Sequence, residues 1–198
     1  PVERDVLCYA LYGNGEDFFT AKGVAEEVTA KLGVKNVVYT AEKNNPTFHP
    51  GRCAKMTVNG ELIGYVGQLH PEAAANFGVN TEVYCATLSM EVMFNNAVSD
   101  VKYTALPKFP STYRDLSLVC KEDMPSGDIV AVIEKTAKHL EAVRLFDMYK
   151  GEQVPAGMKS LSYKLILRKK DATLTDDEAD AVVAKVLKAL EAIGVTLR

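Results

Sequence analysis

No apolar run in this 198-residue chain reaches the roughly 20 residues that a membrane span needs. The opening Pro1-Val2-Glu3-Arg4-Asp5 is charged and is followed by no apolar h-region, so it does not read as a secretory signal. A starting Met is missing, which reads as a cut from a longer chain. No C-x-x-C pair occurs among Cys8, Cys53, Cys85 and Cys120, and no H-x-x-x-H spacing among His49, His70 and His139. A zinc site is therefore not expected. The nucleotide-binding words G-x-x-x-x-G-K-[ST] and G-x-G-x-x-G and the nucleophile word G-x-S-x-G are all missing. Disorder is excluded by what is present: 47% hydrophobic and 25% charged residues, an ordinary globular mixture.

Charge is uneven along the chain. Residues 1–104 hold 8 basic and 12 acidic residues, and residues 105–198 hold 15 and 14. Lys159, Lys164, Arg168, Lys169 and Lys170 fall together with no acid among them. Such a chain does not coat nucleic acid indiscriminately, but it can dock an anion on one face. Each cysteine sits among apolar neighbours in a strand-like segment, which predicts buried free thiols in a reducing compartment rather than disulfides.

The first half reads as strands around one good helix. Val6 to Tyr12 is strand-like and stops at Gly13-Asn14-Gly15. Phe18, Ala21, Ala25, Val28 and Leu32 carry helical spacing over 17–32, closed by Gly33. Val37–Thr40 is a short strand. Cys53–Val58 and Leu62–Leu69 flank Asn59-Gly60, a strong hairpin signal. His70-Pro71 opens a short helix, and Val83–Leu88 is a further strand. Gly64 and Gly67 lie inside a strand and mark close backbone packing rather than a phosphate cradle. Phe48 to Arg52 is a loop that holds His49 and Arg52 without a recognisable acid or nucleophile partner. Residues 95–112 interrupt every periodic pattern and form the candidate linker.

The second half predicts β-α-β-β-α-β, the ferredoxin-like order. Leu116, Leu118 and Cys120 alternate in a first strand. Ser126 is placed to cap a helix with the stripe Ile129, Val132, Ile133, Thr136, Ala137 and Leu140. Val143–Lys150 and Ser160–Arg168 are strands two and three. Thr175-x-x-Glu178 is a capping box before a helix carrying Ala179, Val182, Val183, Val186, Leu190 and Ile193. Val195 and Leu197 form a last short strand. Both helices then cover one sheet face and leave the other open.

Period-two alternation sorts what that open face holds. One register collects Ser117, Asp147, Tyr149, Ser160, Ser162, Lys164 and Arg168. Hydroxyls, a carboxylate, an aromatic ring and cations are equipment for single-stranded nucleic acid. A solvated sheet face would hold the same residue types. Strand two is ambiguous, since Leu145 and Phe146 are equally apolar.

Longer words carry a family resemblance. FPSTYRDLSLV (Phe109–Val119), LFDMYKGEQVPAGMKSLSY (Leu145–Tyr163) and TLTDDEADAVVAKVLKALEAIGVTLR (Thr173–Arg198) resemble the C-terminal end of the bacterial phenylalanyl-tRNA synthetase beta subunit. HPGRCAKMTVNGELIGYVGQLHPEAAANFGV (His49–Val79) resembles the catalytic-like domain of the same subunit. The fold class implied is α+β, a class II synthetase-like antiparallel sheet followed by a ferredoxin-like βαββαβ domain. Residues 1–104 would be the C-terminal part of the non-catalytic, catalytic-like domain, and 105–198 the anticodon-binding domain.

The resemblance implies a part of a class II ligase that attaches phenylalanine to tRNA(Phe) in the cytoplasm. The expected partners are tRNA(Phe), the alpha subunit of an α2β2 heterotetramer and the rest of the beta subunit. ATP and Mg²⁺ would serve the alpha subunit, with no catalytic residue, cofactor or metal in this chain. The family's Asp-x-Tyr falls on Asp147 and Tyr149, its Lys-Ser on Lys159 and Ser160, and its small residue after Arg-Asp-Leu on Ser117. Arg114-Asp115 also matches, whereas the preceding position, often Arg in the family, is Tyr113. Joined to Ser162, Lys164 and Arg168 from the alternation, the resemblance gives the expected RNA-binding set Ser117, Asp147, Tyr149, Ser160, Lys159, Ser162, Lys164, Arg168 and Arg114. It also orients strand two so that Phe146 and Met148 face the helices. The alternative is a ferredoxin-like regulatory or protein-interaction module that binds no RNA.

Overall fold

The computed structural model describes residues 1–98, 103 and 105–198. It divides into two compact units, Pro1–Tyr103 and Thr104–Arg198. The linker expected at 95–112 includes 99–102 and 104, which lie outside the described residues. Among the described residues, no helix is long and apolar enough to cross a membrane.

In the first unit the strands are β1 (Val6–Tyr12), β2 (Val38–Ala41), β3 (Phe48–Val58), β4 (Glu61–Leu69) and β5 (Val83–Ser89). They form one antiparallel sheet in the order β1-β5-β4-β3-β2. Helix α1 (Phe18–Lys31) begins where the Asp17 carboxylate accepts the Thr20 backbone N–H at 2.8 Å. It buries Ala21 and Ala25 against Met56, Ile63, Val66, Ala86 and Leu88. The β3–β4 hairpin turns through Asn59 and Gly60 at φ of 50° and 84°, the positive values their sequence predicts. His70 caps the short helix α2 (Pro71–Asn76).

Three features of this unit differ from the sequence reading. Helix α3 (Met90–Asn95) follows β5 directly, capped by Ser89 and burying Met93, but six residues are too few to show a period. The segment expected as a loop around His49 and Arg52 opens β3 instead, with its ladder to β4 interrupted between Phe48 and Cys53. Cys8 is exposed rather than buried, because β1 is an edge strand and Cys8 faces away from α1; Cys85 is half-buried, Cys53 and, in the second unit, Cys120 are buried, and all four thiols are free.

The second unit contains β6 (Thr112–Lys121), α4 (Ser126–Thr136), β7 (Leu140–Tyr149), β8 (Met158–Leu167), α5 (Asp176–Glu191) and β9 (Thr196–Leu197). The strand order is β7-β8-β6-β9, and every pairing is antiparallel. This is the βαββαβ arrangement read from the sequence. Ile129 and Ile133 of α4 and Val182, Val186 and Leu190 of α5 pack on Leu116, Leu118, Leu161, Tyr163, Leu165 and Leu167. Each such side chain contributes about 1.5–3 kcal/mol by leaving water. Both helices therefore lie on one face.

The Thr175–Glu178 capping box forms in both directions. Ser126 does not act as a cap. Pro125 holds that position, and the Ser126 hydroxyl lies 2.8 Å from the Tyr163 hydroxyl. Tyr163 is fully buried, and its hydroxyl needs that partner. Leu140 also leaves the helical stripe, since α4 ends at Thr136 and β7 begins at Leu140.

Candidate nucleic-acid interface

Cross-strand partners share a sheet face, so the pairing register lays out the side opposite the helices row by row. Val119, Ser160 and Tyr149 form one row across β6, β8 and β7. Ser117, Ser162 and Asp147 form the next, and Asp115, Lys164 and Arg144 the third. Six of the nine site residues expected from sequence and resemblance thus belong to this face: Ser117, Asp147, Tyr149, Ser160, Ser162 and Lys164.

The β7 register carries a correction. A bulge between Leu145 and Asp147 inserts Phe146 as an extra residue. Leu145 pairs with buried Tyr163 on the helix side, and Met148 pairs with Leu161 there too. Phe146 does not face the helices. It is 56% exposed, and its ring lies 5.8 Å from Lys164 Nζ on the open face. Strict alternation places Phe146 with Met148, and one inserted residue reverses that.

The Tyr149 row is the most structured part of the face. The guanidinium of Arg198 lies over the Tyr149 ring, with Cζ 5.1 Å from the centroid. Arg198 is held there because its backbone N–H donates to the Ser117 carbonyl at 2.8 Å, extending β9 along β6. Its Nη2 also donates to Gln153 Oε1 in the β7–β8 loop. The other end of the ring rests on Gly151, where a Cβ would meet Tyr149 Oη at 2.4 Å. Beside the ring, Ser160 is 1% exposed, and its Oγ has no hydrogen-bond partner among the described protein groups. Ser162 is also buried, but its Oγ lies 3.0 Å from that of Ser117. A planar ring, an exposed carboxylate at Asp147 and an unsatisfied hydroxyl stand together.

Three expected residues stand elsewhere. Arg114 shares the parity of Leu116, so it points to the helix side. Its guanidinium donates to Asp176 Oδ1 at 2.8 Å and Asp180 Oδ1 at 2.7 Å. Those bonds, Asp176 first, raise its already high pKa further. Lys159 shares the parity of Leu161 and donates from Nζ to the Met124 carbonyl at 2.6 Å. Arg168 follows the end of β8, where its guanidinium holds Glu141 at 2.7 Å and the Phe109 carbonyl. All three cations are committed to the unit's own groups. The residues that sequence reasoning missed are Arg198, Phe146 and Tyr113. Alternation from Leu197 would have placed Arg198 on the open face, and alternation from Leu116 would have placed Tyr113 there. No local signal announced the bulge.

In the first unit, Arg52, Gln68, Glu82 and Tyr84 form a polar cluster. Arg52 Nη1 donates to Gln68 Oε1 at 2.8 Å, Glu82 Oε1 at 3.0 Å and Tyr84 Oη at 3.3 Å. The Tyr84 hydroxyl and then Arg52 hold the Glu82 carboxyl below its ordinary range. His49 Nδ1 accepts the Gly51 backbone N–H at 3.0 Å and takes no part in that cluster. Gly64 and Gly67 lie against the backbones of Thr87 and Arg52, as close strand packing requires. Among the described residues, no group of three His, Cys, Asp or Glu could hold a metal ion.

Residues 107–198 match the family model described as the ferredoxin-fold anticodon binding domain. Residues 1–90 match the phenylalanyl tRNA synthetase beta chain CLM domain. Over its whole length the chain is 40% identical to the phenylalanine–tRNA ligase beta subunit of Clostridium tetani, of which it covers 25%. Against the Halalkalibacterium halodurans subunit the identity is 38% over all of this chain and 26% of that protein. For Bacillus subtilis it is 36% over 96% of this chain and 25% of that protein. The chain spans about a quarter of the length of these curated relatives. With two consecutive domain models matched and full-length similarity to one kind of subunit, the chain belongs to the phenylalanine–tRNA ligase beta subunit family, as a part of that subunit.

Proposed function

We propose that the open face of the second unit binds the anticodon of tRNA(Phe) within a ligase that joins phenylalanine to that tRNA. The observation that carries this reading is the Val119–Ser160–Tyr149 row beside Asp147, on the face opposite the helices, inside a segment that matches an anticodon-binding model. A base stacks on the Tyr149 ring once the Arg198 guanidinium slides aside toward a phosphate. The Asp147 carboxylate accepts from a base N–H. The buried Ser160 hydroxyl gains its missing partner from the base edge, at a gain of about 1 kcal/mol.

On this reading the chain divides functionally as it does structurally. Residues 105–198 hold the RNA, and residues 1–104 are a non-catalytic platform for the remainder of the beta subunit and for the alpha subunit of an α2β2 assembly. The ATP and Mg²⁺ of the reaction belong to the alpha subunit, in the cytoplasm.

Tyr149→Ala, placed in the assembled ligase, is expected to weaken tRNA(Phe) binding by about 1–3 kcal/mol, read as Kd by filter binding. Equal affinity of wild type and variant, with the fold intact by circular dichroism, would sink the anticodon role. It would favour the regulatory-module reading instead.

A further inference from the structure

Lys164 stands between two aromatic rings that the core does not use. Its Nζ lies 5.9 Å from the Tyr113 centroid and 5.8 Å from the Phe146 centroid. Tyr113 is 55% exposed and Phe146 56% exposed, and neither belongs to the apolar cluster under the helices. The rings come from β6 and β7, on either side of the central strand that carries the lysine. The Lys164 ammonium lies 3.6 Å from Asp115 Oδ1, too long for a hydrogen bond, and its side chain is 42% exposed. Arg144 adds a second exposed cation directly opposite Lys164 on β7.

Each component has a cost that folding alone does not repay. The bulge at Phe146 breaks the β7–β8 ladder and turns a large apolar ring into water. An aromatic ring left half-exposed forgoes most of its burial energy. What the arrangement offers is two flat π surfaces with positive charge between them. Planar rings linked by phosphates, the chemistry of a nucleotide, match it. An apolar peptide does not, because its side chains need a pocket and this face is an open sheet.

We infer that Tyr113, Phe146 and Lys164 form a second nucleotide-binding site, which takes a further base and phosphate of the same RNA strand that Tyr149 and Ser160 engage. This rests on the anticodon reading above. Lys164 lies four residues along β8 from Ser160, about 13 Å at ~3.3 Å per residue. The two sites are therefore separate and serve different nucleotides. One ring stacks on the base face, the other flanks it, and the ammonium leaves Asp115 for the phosphate. Phe146 is brought to this site by the bulge.

The test measures Kd for an unmodified tRNA(Phe) transcript with the chain in the assembled ligase. Tyr113→Ala and Phe146→Ala are each expected to weaken binding by roughly 5- to 100-fold, the range for losing one stacked base. Tyr113→Phe retains the ring and is expected to bind as wild type. Lys164→Gln is expected to reduce the slope of log Kd against log salt by about one. Phe146→Leu keeps the apolar volume without the π face, so it reports on stacking if the alanine variant folds poorly. If Tyr113→Ala and Phe146→Leu bind as wild type while Tyr149→Ala is weakened, the second site is refuted and the anticodon reading stands. If Tyr149→Ala also binds as wild type, both fall together.

Discussion

Arg198 and Tyr149 form a cation–π pair across the open sheet face, with the guanidinium carbon 5.1 Å from the ring centroid. The pair joins the strand that ends the second unit to the strand that carries the ring. On the anticodon reading, Arg198 is a cation already placed where RNA would arrive. Arg198→Ala is expected to weaken tRNA(Phe) binding and to lower the salt slope by about one, because one phosphate contact is lost. The measurement is Kd as a function of salt. A rise in affinity would instead show that the guanidinium merely blocks the ring.

Gly151 supports the same ring from its hydroxyl end. A Cβ there would come within 2.4 Å of Tyr149 Oη and 2.7 Å of its Cζ. Those atoms are the far end of a side chain, so the ring can swing aside while the backbone stays. Gly151→Ala should therefore leave stability within about 1 kcal/mol of wild type. It should still weaken tRNA(Phe) binding by about fivefold or more, because the stacking surface is displaced. Paired urea melts and binding curves separate the two effects.

These two relationships also show what the sequence could and could not convey. Strand alternation placed Ser117, Ser160, Ser162 and Lys164 on the open face, because period two is a property of every strand. The Thr175–Glu178 box and the Asn59-Gly60 turn were legible for the same reason: each is local chemistry. Phe146 was not legible, since a bulge is set by how two distant strands register. Arg168 came from the same alternation and Lys159 from the family's Lys-Ser, but neither signal shows which carbonyl or carboxylate each cation has already taken. Arg114 repeats the point, as Asp176 and Asp180 reach it from a helix more than 60 residues away.

Glu178 gives the second unit a predicted acid dependence. Its carboxyl is lowered from an ordinary 4.5 to about 2, first by Lys169 and then by the Thr175 backbone N–H. A lowered folded-state pKa means the carboxylate's contribution is complete above about pH 4.5. It is lost as the pH falls from there toward 2. Glu178→Gln should remove that component and flatten the acid limb between those values, leaving a shallower fall in melting temperature. Thermal melts of the two proteins from pH 7 to pH 2 test this; parallel acid limbs would show that the capping box and the Lys169 contact contribute nothing.

Two glycines of the first unit should respond oppositely to alanine. Gly64 in β4 faces Leu88 of β5, and a Cβ there would stand 1.8 Å from the Thr87 carbonyl oxygen and 2.9 Å from its carbon. These are backbone atoms of a neighbouring interior strand, and they cannot move without parting the ladder. Gly64→Ala is expected to destabilise by about 1–3 kcal/mol, as overpacking does. Gly23 lies inside α1, with no heavy atom within 4 Å of its Cβ position. Gly23→Ala meets no obstruction and reduces the freedom of the unfolded chain, so it is expected to stabilise by roughly 0.5–1 kcal/mol. Urea midpoints of the two variants should therefore fall on opposite sides of wild type. If Gly64→Ala matched wild type, the two strands would have to be less closely apposed than the Thr87 contact requires.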